Sequence, residues 1–151
     1  MKTLDKFSNN QIQEEFIKRF TKEPGQTVDS SKDIYEYLST IYAELSNDVE
    51  HFVIVYLDGQ NQIIKNEVLF SGTINSAAVY PREIIKKILE YEATAIIISH
   101  NHPSGVLEAS NSDRALTKKI QEFCGYIDVK LLDHLIMGNY KYLSFSDKGL
   151  I

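Results

Sequence analysis

The sequence predicts an α/β fold, a mixed β-sheet flanked by helices. Three observations lead there. Helical and strand periodicities alternate along the chain in the order helix, two strands, helix, strand, helix, two strands. Two short runs, Phe52–Leu57 and Ala95–Ile98, are apolar on both faces, as in strands covered from both sides. The helical segments instead carry one apolar stripe each, suited to lying on a sheet.

The elements follow in order. Residues 1–30 read as an arm or linker. Ile12, Phe16, Ile17 and Phe20 give a short amphipathic helix, and Glu23-Pro24-Gly25-Gln26 breaks it. The main domain, residues 31–151, opens with a helix over about 31–46. Ser30 with Asp33 makes a capping box, and Ile34, Leu38, Ile41, Tyr42 and Leu45 form its stripe. Asn47-Asp48 turns the chain into a strand from His51 to Leu57. Asp58-Gly59 signals a hairpin, and the return strand runs from about Gln62 to Phe70 before Ser71-Gly72. Pro81 starts a second helix reaching about Tyr91. Ala95 to Ser99 is a short apolar strand, and His100 to Ala109 a polar loop. A third helix spans about 111–124, with Leu116, Ile120 and Phe123 inward and Gly125 as its stop. Val129–Ile136 and Tyr140–Phe145 are strands joined by a turn at Met137-Gly138-Asn139.

Composition removes several classes of function. The 151 residues carry a net charge of −5, so a dominant nonspecific phosphate-binding face is not expected. No apolar run approaches the roughly 18 residues of a membrane span. Met1–Asn10 lacks the apolar core of a signal peptide. The single cysteine, Cys124, forms no intrachain bridge and no thiolate metal site. These features lead to the expectation of a cytoplasmic protein.

The informative stretch is Ser99-His100-Asn101-His102-Pro103-Ser104-Gly105. Two of the four histidines lie two residues apart, just past a predicted core strand, so both imidazoles can face one ion. The C-terminal end of a strand is also where open α/β sheets place their ligands. Asp113, in the first turn of the third helix, can swing back as a third ligand. Two imidazoles, one carboxylate and a water make a tetrahedral zinc set with an open position. Ser110 and Asp113 also have a purely structural account as a capping box. The two accounts are compatible, and the local pattern alone leaves the metal open.

A metal hydrolase needs a proton acceptor. Glu50, at the start of the first core strand, is the preferred candidate, with Glu67 and Glu108 as rivals. Asp133-His134 reads as structural, hydrogen-bonded near the sheet end, with a place behind the metal ligands as the alternative. Arg82 reads as a loop anchor, a contact to an anionic substrate or a surface ion pair. Tyr140, Tyr142 and Phe145 alternate as a half-buried strand does and do not read as a base-stacking platform.

Taken together, Glu50, His100-x-His102 and Ser110-x-x-Asp113 resemble the JAMM motif of MPN-type zinc metalloproteases. The run His100 to Gly105 resembles the signature of the RadC family. So do Ser71-Gly72-Thr73-Ile74-Asn75, Pro81-Arg82-Glu83 and Leu132-Asp133-His134. The resemblance covers about residues 30–151. It implies a mixed sheet similar to the cytidine-deaminase fold, zinc held by His100, His102 and Asp113, Glu50 as general base, and Ser110 on the oxyanion. It implies a metallopeptidase or isopeptidase acting on a peptide or isopeptide substrate. The alternative is a noncatalytic nucleic-acid-associated or protein-interaction module of a RadC-like DNA repair protein. Two departures stand out. Residues 1–30 are too short for the helix-hairpin-helix domain RadC proteins commonly carry, which weakens a DNA-binding inference. Ala109 replaces the proline many members have before the serine. Deaminase chemistry lacks its paired cysteines here.

Overall fold

A computed structural model describes residues 8–20 and 25–151. Helices are α1 (Asn9–Phe20), α2 (Ser31–Tyr42), α3 (Pro81–Glu90) and α4 (Asn111–Tyr126). Strands are β1 (His51–Leu57), β2 (Ile63–Ser71), β3 (Ala95–Asn101), β4 (Lys130–Gly138) and β5 (Lys141–Ser144). They form one sheet in the order β2-β1-β3-β4-β5. β3 and β4 are parallel, connected through α4, and every other neighbouring pair is antiparallel. The architecture is the mixed, helix-flanked α/β sheet expected.

The period-two alternation of a strand divides the core into two layers. On β1, Phe52, Ile54 and Tyr56 join Ile96 and Ile98 of β3 against Ile84, Ile88, Leu116 and Ile120 of α3 and α4. Val53, Val55 and Leu57 join Ile97, Leu135 and the α2 residues Ile34 and Leu38 on the other side. Every residue of β1 is buried, which is why its sequence shows no polar alternation. His100 continues the Ile96–Ile98 face and so points to the side where α4 lies.

Several boundaries differ from the sequence reading. β3 continues through Asn101, placing His100 in the strand rather than the loop. α2 ends at Tyr42, short of Leu45, which lies in the turn that follows. α4 runs through Gly125, and the chain reverses instead at Asp128, with φ 56°. The left-handed position that ends the helix therefore falls on an aspartate, three residues later than the glycine suggested. Met137 and Gly138 belong to β4, and the β4–β5 turn is Asn139-Tyr140, with φ 49° and 58°. Tyr140 is accordingly a turn residue, 97% exposed. Tyr142 stacks on Tyr35 and Phe145 is buried.

The Asp58-Gly59 hairpin is longer than two residues. The Asp58 carboxylate accepts the amides of Gln60 and Gln62 and shapes the loop. Gly25–Val28 lies along its exit, with Thr27 bridged to Gln62. The proposed break at Glu23-Pro24 lies outside the described residues, as do the side chains of Ile17 and Phe20. α1 contacts α2, and the Gln13 carboxamide donates to the Ala43 carbonyl. Among the described residues, no helix is long and apolar enough to cross a membrane.

Leu116 is completely buried between α4 and the sheet. Leu116→Ala is expected to lower unfolding free energy by about 2–5 kcal/mol in denaturant titration. Tyr126→Ala, at a side chain 90% exposed, should stay within about 0.5 kcal/mol of wild type.

Candidate metal centre

Three elements converge at the C-terminal end of β3. The strand delivers His100, the turn after it delivers His102, and the first turn of α4 delivers Asp113. His102 is fixed by its own backbone. Its N–H donates to Met137 O at 2.8 Å, and its carbonyl accepts Gly105 N–H at 2.9 Å. Gly105 adopts φ 79°, and a β-carbon there would meet Asn139 Cβ at 3.1 Å. The loop thus packs closely on the β4–β5 turn, in a backbone conformation that favours glycine.

Asp113 is set by the capping box. Ser110 N–H donates to Asp113 Oδ2 at 2.9 Å, and Asp113 N–H donates to Ser110 Oγ at 3.0 Å. The structural account of this pair and its place beside the histidines are therefore both realised. Asp113 Oδ1 lies 3.2 Å from His100 Nε2, and Oδ2 lies 3.3 Å from His102 Nε2. His100 and Asp113 are buried, and His102 is half-buried. Among the described residues, these three side chains form the one group able to coordinate a metal ion.

Hydrogen bookkeeping fixes which nitrogens face the centre. His102 Nδ1 lies 2.7 Å from the Val106 carbonyl, which can only accept, so Nδ1 carries the proton. Behind His100 stands His134, whose Nε2 lies 2.8 Å from His100 Nδ1. His134 Nδ1 contacts Thr117 Oγ1 at 2.6 Å, and that hydroxyl gives its one hydrogen to the Asp113 carbonyl at 2.7 Å. Thr117 therefore accepts from His134 Nδ1–H. His134 Nε2 is left to accept, so His100 donates through Nδ1. Both Nε2 lone pairs then point at one spot beside the Asp113 carboxylate, 2.9 Å apart. Two lone pairs so close repel unless a cation lies between them.

Electrostatics agrees. Burial acts to raise the Asp113 carboxyl, but its contacts with His100 and His102 outweigh that and hold it well below the usual carboxylate range. The Asp113 hydrogen bond raises the His102 imidazole above its ordinary value. Burial keeps His134 neutral, far below the ordinary imidazole value. The ring of His134 also stacks on Phe145, with centroids 4.5 Å apart.

Of the two sequence readings of Asp133-His134, the structural one fits Asp133 and the place behind the ligands fits His134. Asp133 accepts Ser144 Oγ–H and the amides of His134 and Ser146, all structural contacts. His134 instead backs a candidate ligand. The available signal was a histidine inside the apolar strand Leu131–Ile136, where an imidazole needs a partner. The fourth histidine, His51, bonds Ser71 and Ser46 and stays outside the centre.

A cleft of about 660 Å³ opens onto the centre. Glu50, His102, Glu108, Ser110 and Asp113 all line it. Glu50 Oε2 accepts Ile74 N–H at 2.8 Å, and its charge contributes to the raised pKa of His102. Glu67 does not line this cleft. It accepts Tyr91 and Tyr56 hydroxyls and faces Lys87. Glu108 borders the cleft as an exposed loop residue, and Arg82 is exposed on α3.

A tetrahedral ion with bonds of about 2.0–2.1 Å spaces its ligand atoms about 3.3 Å apart. The two Nε2 atoms lie 2.9 Å apart, with one Asp113 oxygen 3.2 Å from His100 and the other 3.3 Å from His102, which is on that scale, and an imidazole and carboxylate set suits a divalent transition metal.

Comparison with known proteins shows the family to which this chain belongs. A UPF0758 protein of Pseudoalteromonas translucida (strain TAC 125) is 46% identical over 122 residues, covering 81% of this chain and 54% of its own. A UPF0758 protein of Aliivibrio salmonicida (strain LFI1238) is 40% identical over 149 residues, covering 97% of this chain and 66% of its own. The chain thus spans between about half and two thirds of the length of these relatives. The family model described as the RadC-like JAB domain matches residues 28–150, a span that takes in the whole sheet and all three residues of the centre. With that match over most of the chain, the protein belongs to the RadC family.

Proposed function

We propose that the protein is a zinc-dependent hydrolase, a metallopeptidase or isopeptidase. The observation that carries this reading is the pair of Nε2 lone pairs converging beside a buried carboxylate at the floor of an open cleft. His100, His102 and Asp113 would hold the zinc. Bound there, zinc would supply Lewis acidity toward a substrate carbonyl and the attacking water.

The chain's own residues supply the rest. Glu50, anchored by Ile74 N–H on the cleft wall, takes the proton from the attacking water and passes it to the leaving amine. Ser110 Oγ uses a lone pair on Asp113 N–H, which leaves its hydroxyl hydrogen for the developing oxyanion. His134 and Thr117 hold His100 in the tautomer that presents Nε2. Among the described residues, the charged groups lining the cleft are the carboxylates Glu50, Glu108 and Asp113, with no lysine or arginine. That favours peptide-type substrates over the phosphate backbone that a DNA-associated module would grip.

Protein purified without added metal is expected to contain one zinc per chain by elemental analysis, and His102→Ala to lose it. Binding should weaken as pH falls, beginning above the ordinary imidazole pKa of about 6.5, because the raised His102 holds its proton more tightly. A protein that takes up no zinc at micromolar concentration, yet binds DNA with a steep salt dependence, would replace this reading with the noncatalytic one.

Glu50→Gln keeps an acceptor for Ile74 N–H but cannot take a proton. It should retain zinc and fold while abolishing turnover in a screen of peptide and isopeptide substrates. Ser110→Ala should keep zinc and slow turnover by roughly 10²-fold, with about 1 kcal/mol of helix-cap stability lost in parallel unfolding measurements.

His134→Leu removes the acceptor behind His100. Zinc affinity, measured by competition with a chelating dye, should fall by about 10–100-fold.

A further inference from the structure

Asn101 stands between His100 and His102 in sequence and faces the opposite way. The ladder between β1 and β3 ends at Phe52 opposite His100, and the Asn101 side chain takes over where backbone pairing stops. Its Oδ1 accepts His51 N–H at 2.7 Å, and its Nδ2 donates to the Val49 carbonyl at 3.0 Å. An amide flip would lose both bonds, so the orientation is determined. The two bonds bracket Glu50. On its other side Glu50 is held by residues after β2, through Gly72 N–H on its carbonyl at 2.9 Å and Ile74 N–H on Oε2.

We infer that Asn101 is a positioning residue that sets the Glu50 carboxylate relative to the His100–His102–Asp113 centre. Its function rests on the reading of Glu50 as base. The same three-residue stretch then carries two ligands on one side and the clamp for the base on the other. The alternation of β3 sets His100 and Asn101 on opposite sides, and His102 is held just past the strand end by its backbone bonds to Met137 and Gly105. Asparagine suits the task because one donor and one acceptor are needed a short reach from the backbone. Aspartate cannot donate to Val49 O, and glutamine is one methylene longer.

The test compares amide exchange in the metal-free full chain by NMR. In Asn101→Ala, the Ile74 and Gly72 amides should exchange about tenfold faster or more, while Ile54 and Ile97 in the sheet core keep their rates. Zinc affinity should stay within about threefold of wild type, because no ligand is lost. Loaded with cobalt instead of zinc, Asn101→Ala should change the visible ligand-field band as Glu50→Gln does. The double variant should add nothing further, the signature of one shared pathway. Asn101→Asp, which keeps the acceptor for His51 N–H, should show an intermediate exchange rate and carries the test if the alanine variant does not fold. Unchanged Ile74 protection, or a loss spread evenly over the sheet, would overturn the inference. So would a fall in zinc affinity as large as that of His102→Ala, which would make Asn101 a support for the ligand strand instead. Exchange is read without metal, so a chain that proved unable to bind zinc would sink the hydrolase reading and leave this result legible.

Discussion

The carboxylate of Asp113 is the group on which the site depends. It is buried, and a buried anion without partners is costly enough to protonate or to unfold its surroundings. Here it is held by the Ser110 amide at the positive end of α4 and by two imidazoles from the end of β3. The helix start and the strand end are thereby locked to each other. α4 cannot slide along the sheet without leaving a charge unpaired. Its apolar stripe, centred on Leu116 and Ile120, is consequently brought over β3 in one register.

Behind that carboxylate lies a polar chain inside an otherwise apolar layer: Asp113 carbonyl, Thr117, His134, His100. Each link has one donor and one acceptor, and among the described residues no buried side-chain nitrogen or oxygen lacks a partner. A fully satisfied network of this kind costs little stability and removes freedom. An imidazole held only at its metal-facing nitrogen could rotate. One held from behind presents the same nitrogen before any ligand arrives, which reduces the ordering cost of binding.

The sheet and the candidate ligands were legible in the sequence because they follow from short-range rules. Period-two burial, a capping box and a His-x-His spacing each involve residues within a few positions of one another. What was missed depends on contacts across the fold. β3 seemed to end at Ser99 because His100 and Asn101 are polar, yet the strand continues since their side chains find partners on both faces. Gly125 looked like a helix stop, but a glycine can also stay helical, and the reversal at Asp128 lets Val129 N–H reach Cys124 O instead. The place of His134 behind the ligands stood only as an alternative, because it lies 34 residues from His100 and the parallel pairing of β3 with β4 brings them together. Glu50 was the preferred base by sequence, with Glu67 and Glu108 as rivals. β2 carries Glu67 away toward Tyr91, while the cleft keeps both Glu50 and Glu108 on its wall.

The arrangement of the three side chains also follows from charge. Two facing Nε2 atoms 2.9 Å apart, both aimed at a carboxylate, need a positive charge among them. A proton is the smallest cation available, and the raised pKa of His102 beside Asp113 is the expression of that need. A metal ion bound there would displace this proton, so metal uptake and proton release would be two sides of one equilibrium. The same convergence also links the ion to the fold. β3, the loop that follows it and α4 each contribute one donor, so whatever cation sits between them cross-links the strand end to the helix that covers it.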